Sequence, residues 1–229
     1  RETIAAPVYG AGHYEPLRHY AEVHFRMEPL PRGSGIVFES RCHVDDLPLQ
    51  FQNLVRTNVF EKEHLGVLTG SPITDIKLIL VAGRRHLKHT EGGDFRQATY
   101  RAIRQGLMKA ESVLLEPMHG FGIDVPQELI GRVLSDVQKM SGTFDAPETD
   151  EAGVHVKGRA PVSELMDYAQ ELAAYSRGLG RMTVRFDGYD ICHNPEEVIA
   201  RRAYDAGADK ENDADSVFCA KGAGFAVHW

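Results

Sequence analysis

The stretch PQELIGRVLSDVQKM, residues 126–140, decides how the second half of this chain is expected to fold. Its apolar residues recur at intervals of three and four, the spacing that places side chains on one face of a helix. They are Leu129, Ile130, Val133, Leu134 and Val137. We therefore predict a helix over residues 127–140, with one strand before it at residues 113–125 and one after it at residues 142–147.

The same order of elements returns further along the chain. A strand is predicted at residues 154–160, a helix at residues 163–176 and a strand at residues 181–189. The complete series is strand, helix, strand, strand, helix, strand, which is the order of a ferredoxin-like split βαβ unit. Residues 113–190 are thus expected to form one domain of that fold.

The first half of the chain also mixes strands with helices. Residues 19–28, HYAEVHFRME, alternate strictly between apolar and polar side chains, as a half-buried strand does. The apolar face consists of Ala21, Val23, Phe25 and Met27. Further strands are predicted at residues 35–41 and 73–83. The fold class is therefore α+β, with two domains, the first of which covers residues 1–112.

Two helix-start signals complete this description. Asp46 and Pro48 precede a predicted helix that carries Phe51, Leu54, Val55 and Val59 on one face and that we expect to stop at Gly66. Asn194, followed by Pro-Glu-Glu, opens a tail over residues 191–229. After its first helix this tail becomes acidic and polar, so we expect it to be partly irregular.

Charge is distributed unevenly along the chain, whose formal net charge is −7. Residues 1–112 hold 15 Lys and Arg against 13 Asp and Glu, whereas residues 113–229 hold 11 against 20. Any anionic partner is therefore expected to bind the first half. No apolar run approaches the roughly 18 residues of a membrane span, and no secretory signal pattern opens the chain, so we expect a cytoplasmic protein without membrane contact.

The most basic segment is RRHLKHTEGGDFRQATYRAIRQG, residues 84–106. It begins with three cations and two histidines and continues into a helix whose polar face is predicted to be exposed to solvent. That face carries Arg96, Gln97, Tyr100, Arg101 and Arg104. Such a group of cations suits the phosphate backbone of a nucleic acid, and it suits an ordinary solvated helix face equally well.

Metal and nucleotide sites are not expected. His86 and His89 could face one ion, but zinc requires three or four ligands, and Lys88 lies between the two histidines. The alternating acids of residues 209–215 lack the glycine and the glutamate of a calcium loop, so a solvated acidic linker is expected there. Because the chain also has no phosphate-binding P-loop and no recognisable nucleophile, we expect no catalysis by this chain itself.

Seven segments resemble the last two domains of translation elongation factor G, and of the tetracycline-resistance ribosomal protection proteins related to it. They are RETIAAPV (1–8), EPLPRGSG (28–35), GVLTGSPITDIK (66–77), EGGDFRQATYRAIRQG (91–106), LLEP (114–117), PQELIGRVLSDV (126–137) and APVSELMDYAQEL (160–172). The resemblance runs in order from Arg1 to about Tyr189, and the tail from Ile191 departs from it.

This resemblance implies a fold and a partner for each domain. Residues 1–112 are expected to be similar to domain 2 of ribosomal protein S5, and residues 113–190 to be ferredoxin-like. In this family the fourth domain reaches the decoding centre of the small ribosomal subunit, and the factor also contacts the large-subunit factor-binding region. Tip loops around His13 and His86 lead the fourth domain. The RNA-contacting residues are then expected to be His13, Tyr14, Arg18, Arg84, Arg85, His86, Lys88, His89 and Arg96.

The resemblance further implies a longer protein, which also agrees with a chain that opens on Arg1 rather than Met. An upstream domain would bind GTP and magnesium and hydrolyse the nucleotide, while this chain is expected to hold no cofactor and to be monomeric. Three alternatives remain open. They are a protection protein that displaces tetracycline, a free-standing RNA- or protein-binding module, and a small enzyme that uses His86 as a base.

Overall fold

The computed structural model describes residues 1–228, which form two compact units. The first unit contains residues 1–114 together with the chain from Asn194 onward, and the second unit contains Leu115–His193. The expected α+β class with two domains is confirmed by the mixture of helices with two separate sheets. Within residues 1–228, no helix combines the length and apolar character needed to cross a membrane.

The helices and strands follow one another in this order. The first are β1 (Glu2–Ile4), β2 (Val8–Tyr14), β3 (Ala21–Pro29), β4 (Ile36–Ser40), α1 (Leu49–Phe60), β5 (Ile76–Arg85) and α2 (Gly92–Lys109). Next come β6 (Ser112–Val125), a 3-10 turn (Gln127–Leu129), α3 (Ile130–Lys139), β7 (Thr143–Phe144), β8 (Glu148–Asp150), β9 (Gly153–Pro161), α4 (Val162–Leu165), α5 (Tyr168–Tyr175) and β10 (Arg181–Ile191). The last are α6 (Pro195–Arg202), a 3-10 turn (Lys210–Asn212), β11 (Ser216–Ala220) and β12 (Ala223–Val227).

The first unit is built on a six-stranded sheet in the order β12-β11-β2-β3-β5-β4. The alternation predicted for residues 19–28 is confirmed, because the four apolar side chains of β3 are fully buried while the polar residues between them are not. The buried residues Phe95, Ala98, Ala102 and Ile103 of α2 pack in the same core. These four residues form the face of α2 that covers the sheet.

Two glycines of β2 set the distance between α2 and the sheet. A side chain at Gly10 would collide with the carbonyl oxygen of Ala102, and one at Gly12 would collide with that of Ala98. Because both glycines face the helix backbone directly, α2 can lie against β2 with no side chain between them. This close packing fixes the position of α2 on the sheet, while the side chains of Glu91 and Asp94 form a capping box at its start.

The predicted end of the first helix is wrong. Helix α1 begins after Pro48, as expected, but it ends at Phe60 rather than at Gly66. Gly66 serves another purpose, since any side chain there would collide with the carboxylate of Glu2, which accepts hydrogen bonds from Leu68 N (2.9 Å) and Thr69 N (2.8 Å). A glycine can therefore mark a close approach instead of a helix stop.

The second unit is a ferredoxin-like sheet with helices. Its strands lie in the order β10-β6-β9-β7, all antiparallel, with β8 also paired to β9. Val133 and Val137 of α3 are fully buried in its core, as the helical spacing predicted. Two predicted elements are shorter than expected: the strand at residues 142–147 keeps only β7, and the helix at residues 163–176 is divided into α4 and α5.

The tail beyond residue 191 is more regular than the sequence suggests. Its first helix, α6, begins at Pro195, as the Asn-Pro-Glu-Glu signal predicts. The apolar end, which the sequence left unassigned, forms the hairpin of β11 and β12, and β11 pairs in parallel with β2 through Val217 and Tyr14. The tail is therefore part of the first unit, where it extends the sheet at one edge.

Candidate nucleic-acid interface

Two loops leave the first sheet at the same end. Residues 15–20 connect β2 to β3, and residues 86–91 connect β5 to α2. Ala21 pairs with both Tyr14 and Arg85, so the two loops are neighbours. We call these two loops, together with Tyr14, Arg84 and Arg85 at the strand ends, the tip. The structure thus brings together nearly all of the residues that the sequence singled out.

Hydrogen bonds through Thr90 and Asp94 tie the two loops of the tip together. The Thr90 hydroxyl accepts from the backbone N–H of His86 (2.7 Å) and donates to the carbonyl of Tyr20 (2.6 Å). Asp94, which is 2% exposed, accepts from Glu91 N (2.9 Å) and from Tyr20 N (3.3 Å) and bonds the His19 ring (2.8 Å). Asp94 therefore faces the loop backbones, and it is not available to neutralise the cations of the tip.

The cations of the tip are exposed. Arg18, Arg84, Arg85 and Lys88 all lie on the surface, and none of them forms an ion pair within residues 1–228. Arg85 lies over the ring of Phe51, 5.5 Å from its centroid. A group of unpaired cations at one end of a sheet attracts anions, and the phosphate backbone of a nucleic acid presents them at high density.

His86 and His89 lie at the same surface. Their rings are stacked, 4.4 Å apart between centroids and 20° from parallel, and both side chains are exposed. Leu87 between them is 83% exposed. Within residues 1–228, no group of three His, Cys, Asp or Glu side chains has an arrangement that could hold a metal ion.

Two of the predicted RNA-contacting residues lie below this surface. His13 is only 6% exposed, because its ring is stacked on Phe218 (4.1 Å between centroids) and bonds Glu15 (2.8 Å). Tyr14 is half-buried beneath the guanidinium of Arg101, 5.3 Å from its ring. The tail covers the His13 ring, so that ring is not exposed at the tip, and its contact with RNA stays a prediction.

The buried histidine has an unusual electrostatic environment. Burial disfavours a charge on its ring, but the hydrogen bonds and charges of Glu22 and Glu15 outweigh burial, so the pKa of His13 is raised. The hydrogen bonds from His13 and His24 in turn hold the pKa of Glu22 well below its usual range. A protonated His13 and an ionised Glu22 therefore stabilise each other beneath the tip.

The predicted solvent exposure of the helix face is wrong for Arg101 and Arg104. Arg104 is 4% exposed and donates to the carbonyls of Leu65 (3.0 Å), Gly66 (3.2 Å) and Ala206 (3.1 Å) and to the hydroxyl of Tyr204 (2.7 Å). Arg101 donates to the carbonyl of Asp215 (2.9 Å). The tail that makes these contacts lies far along the sequence, and so the helical wheel could not reveal it.

Arg96 and the acidic segment have different environments from those expected. Arg96 remains exposed, but it pairs with Glu61 (2.8 Å). Residues 209–215 were expected to be a solvated linker, but their turn packs on α2. The Asp209 side chain accepts from the backbone N–H of Glu211 (3.1 Å) and Asn212 (3.3 Å). The acidic part of the tail therefore covers the middle of α2 and leaves the cations of the tip exposed.

Comparison with known families agrees with both units. Residues 1–111 match the family described as elongation factor G, domain IV, and residues 113–198 match the family described as elongation factor G C-terminus. The chain belongs to the elongation factor G family. Its resemblance to that family, first seen in seven short segments, is confirmed over almost the whole of both domains.

Individual relatives are between 30% and 34% identical to this chain in sequence. The tetracycline resistance protein TetP of Clostridium perfringens is 34% identical over 74% of this chain and 26% of its own length. An elongation factor G-like protein of Thermotoga maritima is 32% identical over 80% and 27%, and the elongation factor G of Aquifex pyrophilus is 30% identical over 88% and 30%. A crystal structure of a Thermus thermophilus protein superposes with a TM-score of 0.80 at 30% identity, over 89% of this chain and 31% of that one. The chain thus spans between a quarter and a third of the length of these relatives.

Proposed function

We propose that this chain is the ribosome-binding C-terminal part of a translational GTPase of the elongation factor G type. In this proposal the tip contacts ribosomal RNA in the decoding region of the small subunit, and the second unit belongs near the factor-binding region of the large subunit. GTP and magnesium would be bound by a part of the protein outside this chain. Cytoplasmic location and a monomeric state complete the proposal.

The proposal rests on the exposed cations of the tip. Four cations, Arg18, Arg84, Arg85 and Lys88, are exposed at one end of the first sheet with no ion pair within residues 1–228. The other cations of the same segment, Arg96, Arg101 and Arg104, are bound to Glu61, to Gln97 and the tail, or to backbone carbonyls. Four exposed cations that have no ion pair and are grouped at one end of a sheet, on a chain that is acidic as a whole, indicate an anionic partner there.

The salt dependence of binding tests this proposal. The logarithm of the binding constant falls linearly with the logarithm of the salt concentration, and each neutralised phosphate contributes about 0.7 to 0.9 to the slope. If Arg85 and Lys88 each neutralise a phosphate, the double variant Arg85→Ala/Lys88→Ala should make the slope shallower by that amount for each of the two contacts. The measurement is a binding titration of the chain against bacterial small ribosomal subunits at several salt concentrations.

A matched control uses two exposed cations outside the tip. The double variant Arg56→Ala/Lys109→Ala removes the same charge from α1 and α2, and it should keep the slope of the unaltered chain. If the tip variant has the same slope and affinity as the unaltered chain, the tip does not bind phosphate and the proposal fails.

Displacement of tetracycline from the ribosome is a second candidate function, favoured by the similarity to TetP. The composition of the tip favours ribosomal RNA binding over drug displacement. A group that enters a drug pocket has to be compact and stiff. Residues 86–91, in contrast, are two histidines, an exposed leucine, a lysine, a threonine and a glutamate. Long charged side chains suit phosphate better.

A growth assay separates the two candidate functions. Cells that carry TetP with its tip loop replaced by residues 86–91 are grown in tetracycline. Full protection by that graft would favour the second candidate.

A further inference from the structure

The hairpin of β11 and β12 ends beside the tip. Its turn consists of Lys221 (φ 52°) and Gly222 (φ 81°), both in the left-handed region, as in the two-residue type I′ turns of tight hairpins. Because β11 is parallel to β2, the turn lies at the end of the sheet from which the tip loops emerge. From Val217, which pairs with Tyr14, β11 continues for three residues to Ala220, about 10 Å further.

Hydrogen bonds hold the hairpin in this position. The backbone N–H of His13 donates to the Ser216 hydroxyl (2.9 Å), and that of Glu15 donates to the carbonyl of Val217 (2.7 Å). Ser216 is fully buried. The start of the hairpin is therefore fixed to the end of β2, and the hairpin forms a third element beside the two loops of the tip.

A continuous series of aromatic contacts joins these three elements. The centroid distances are 6.3 Å for Phe225–Phe218, 4.1 Å for Phe218–His13, 5.1 Å for His13–Tyr20, 6.3 Å for Tyr20–His86 and 4.4 Å for His86–His89. We call these six rings the ring row. Its middle is covered, since His13 is 6% exposed, but both of its ends are open: Phe225 is 47% exposed, and His86 and His89 lie on the surface.

The charge of the tail changes at the hairpin. Residues 204–215, which cover α2, contain five carboxylates and one lysine. Residues 216–227 contain no carboxylate and one cation, Lys221, which is exposed at the turn and forms no ion pair within residues 1–228. The tail is thus acidic where it meets the arginines of α2 and basic where it reaches the tip.

We propose that the hairpin is a third RNA-contacting element of the tip, in which Lys221 neutralises a phosphate and the Phe225 ring stacks on an unpaired base. This inference rests on the proposed function, because it assumes that the tip meets ribosomal RNA. An exposed aromatic ring beside an unpaired cation is the combination that binds single-stranded nucleic acid, since every base has a face on which an aromatic ring can stack. The contact of Phe225 with Phe218 orients its ring before any base arrives, which lowers the entropic cost of binding.

Two single variants test the two roles separately in the binding titration with small ribosomal subunits. Phe225→Ala should weaken binding about 5- to 150-fold at constant salt and leave the slope against salt unchanged, because stacking involves no counterion. Lys221→Ala should reduce the slope by about 0.7 to 0.9, the value of one phosphate contact.

Phe60→Ala and Lys210→Ala are matched controls, since Phe60 is 49% exposed on α1 and Lys210 is exposed in the acidic part of the tail. Both controls should bind as the unaltered chain does.

The outcomes distinguish this inference from the proposed function. If both hairpin variants bind like their controls while Arg85→Ala/Lys88→Ala changes the slope, the hairpin does not contact RNA and only the proposed function stands. If the tip variant also leaves the slope and affinity unchanged, both fail together.

Cross-linking identifies the partner directly. Lys221→Cys, made in a Cys219→Ser background because Cys219 is a half-buried free thiol, carries a photoreactive group at the turn. The inference predicts cross-links to ribosomal RNA. Cross-links to ribosomal protein alone would overturn it.

Discussion

Arginines that belong to one basic segment of the sequence have opposite environments in the fold. Arg84 and Arg85 at the tip are exposed and have no ion pair within residues 1–228, whereas Arg104, one helix away, is 4% exposed and donates four hydrogen bonds. The residue type is the same. What differs is whether a distant segment of the chain reaches them.

This difference separates two uses of positive charge. Where the tail covers α2, arginine satisfies backbone carbonyls and so holds the tail in place. Where the tail ends in a hairpin beside the tip, the cations stay exposed and have no ion pair within residues 1–228. The tail therefore covers one part of the basic segment and leaves the other part, to which we assign RNA binding, open to solvent. We expect separate variants in the two regions to lower the free energy of unfolding by different amounts, most in the covered region and least at the tip.

The largest effect is expected for Arg104→Ala. Removing this guanidinium leaves three buried or half-buried carbonyls and the Tyr204 hydroxyl without their donor, and an unmade buried hydrogen bond is costly. We expect the free energy of unfolding to fall by about 2 to 4 kcal/mol. Urea unfolding followed by circular dichroism measures it.

Two further variants sharpen this result. Tyr204→Phe keeps the ring, whose centroid lies 5.8 Å from the Arg104 guanidinium, and removes only the hydroxyl, so its cost should be smaller. Arg84→Ala removes an exposed arginine and should change the free energy of unfolding by no more than about 0.5 kcal/mol. If Arg104→Ala were as mild as Arg84→Ala, the tail would not be anchored by this residue, and the contrast between the two regions would disappear.

An intermediate effect, dependent on pH, is expected from His13, which links the tail to the tip. Because the pKa of His13 is raised, its contribution is complete below the unfolded value near 6.5 and is lost as the pH rises through the folded value. Because the pKa of Glu22 is lowered, its contribution is complete above the unfolded value near 4.5 and is lost only as the solution becomes strongly acidic. Of these two groups, only His13 should thus change the stability above pH 6.5.

The variant His13→Gln isolates this contribution. Glutamine retains a hydrogen-bond donor for Glu15 but carries no charge and does not titrate, so the variant should be less stable than the unaltered chain by about 1 kcal/mol in mild acid, where the charged ring interacts with Glu22 and Glu15. The difference should become smaller as the pH rises beyond 6.5. Urea unfolding of both proteins across this range measures it. A difference that stays constant with pH would show that His13 is not charged in the folded state.

The strands and helices of both units were largely predictable, because their side-chain periodicity is local. The four buried residues of β3 and the face of α3 follow directly from spacing. Burial of Arg104 was not predictable, since its partner Tyr204 is 100 residues away and no repeat or motif connects the two. The stop predicted at Gly66 failed for a similar reason: the contact that demands glycine there is with Glu2, near the start of the chain.

The candidate site shows the same division between local and distant information. The exposed positions Arg84, Arg85, His86, Lys88 and His89 were identified because a loop between a strand and a helix is almost always at the surface. His13 was included because the resemblance to elongation factor G places a second tip loop around it. Its ring is covered by Phe218, which comes from a segment whose hairpin could not be recognised before its pairing with β2 was known. The signal that could have revealed it was the pair Lys221–Gly222 between two apolar runs, a tight-turn composition.

The smallest effect is expected for the tip itself. Arg85→Ala/Lys88→Ala removes two exposed cations that have no ion pair within residues 1–228. The Arg85 guanidinium lies 5.5 Å from the centroid of the Phe51 ring, but Arg85 is exposed to solvent. We expect the free energy of unfolding to change by no more than about 0.5 kcal/mol, because surface substitutions away from caps and buried networks rarely cost more. Urea unfolding of this variant beside Arg104→Ala measures both ends of the series under one set of conditions. A loss above about 1 kcal/mol at the tip, outside that range, would mean that these cations stabilise the fold as Arg104 does. The positive charge of the tip could then no longer be attributed to a partner.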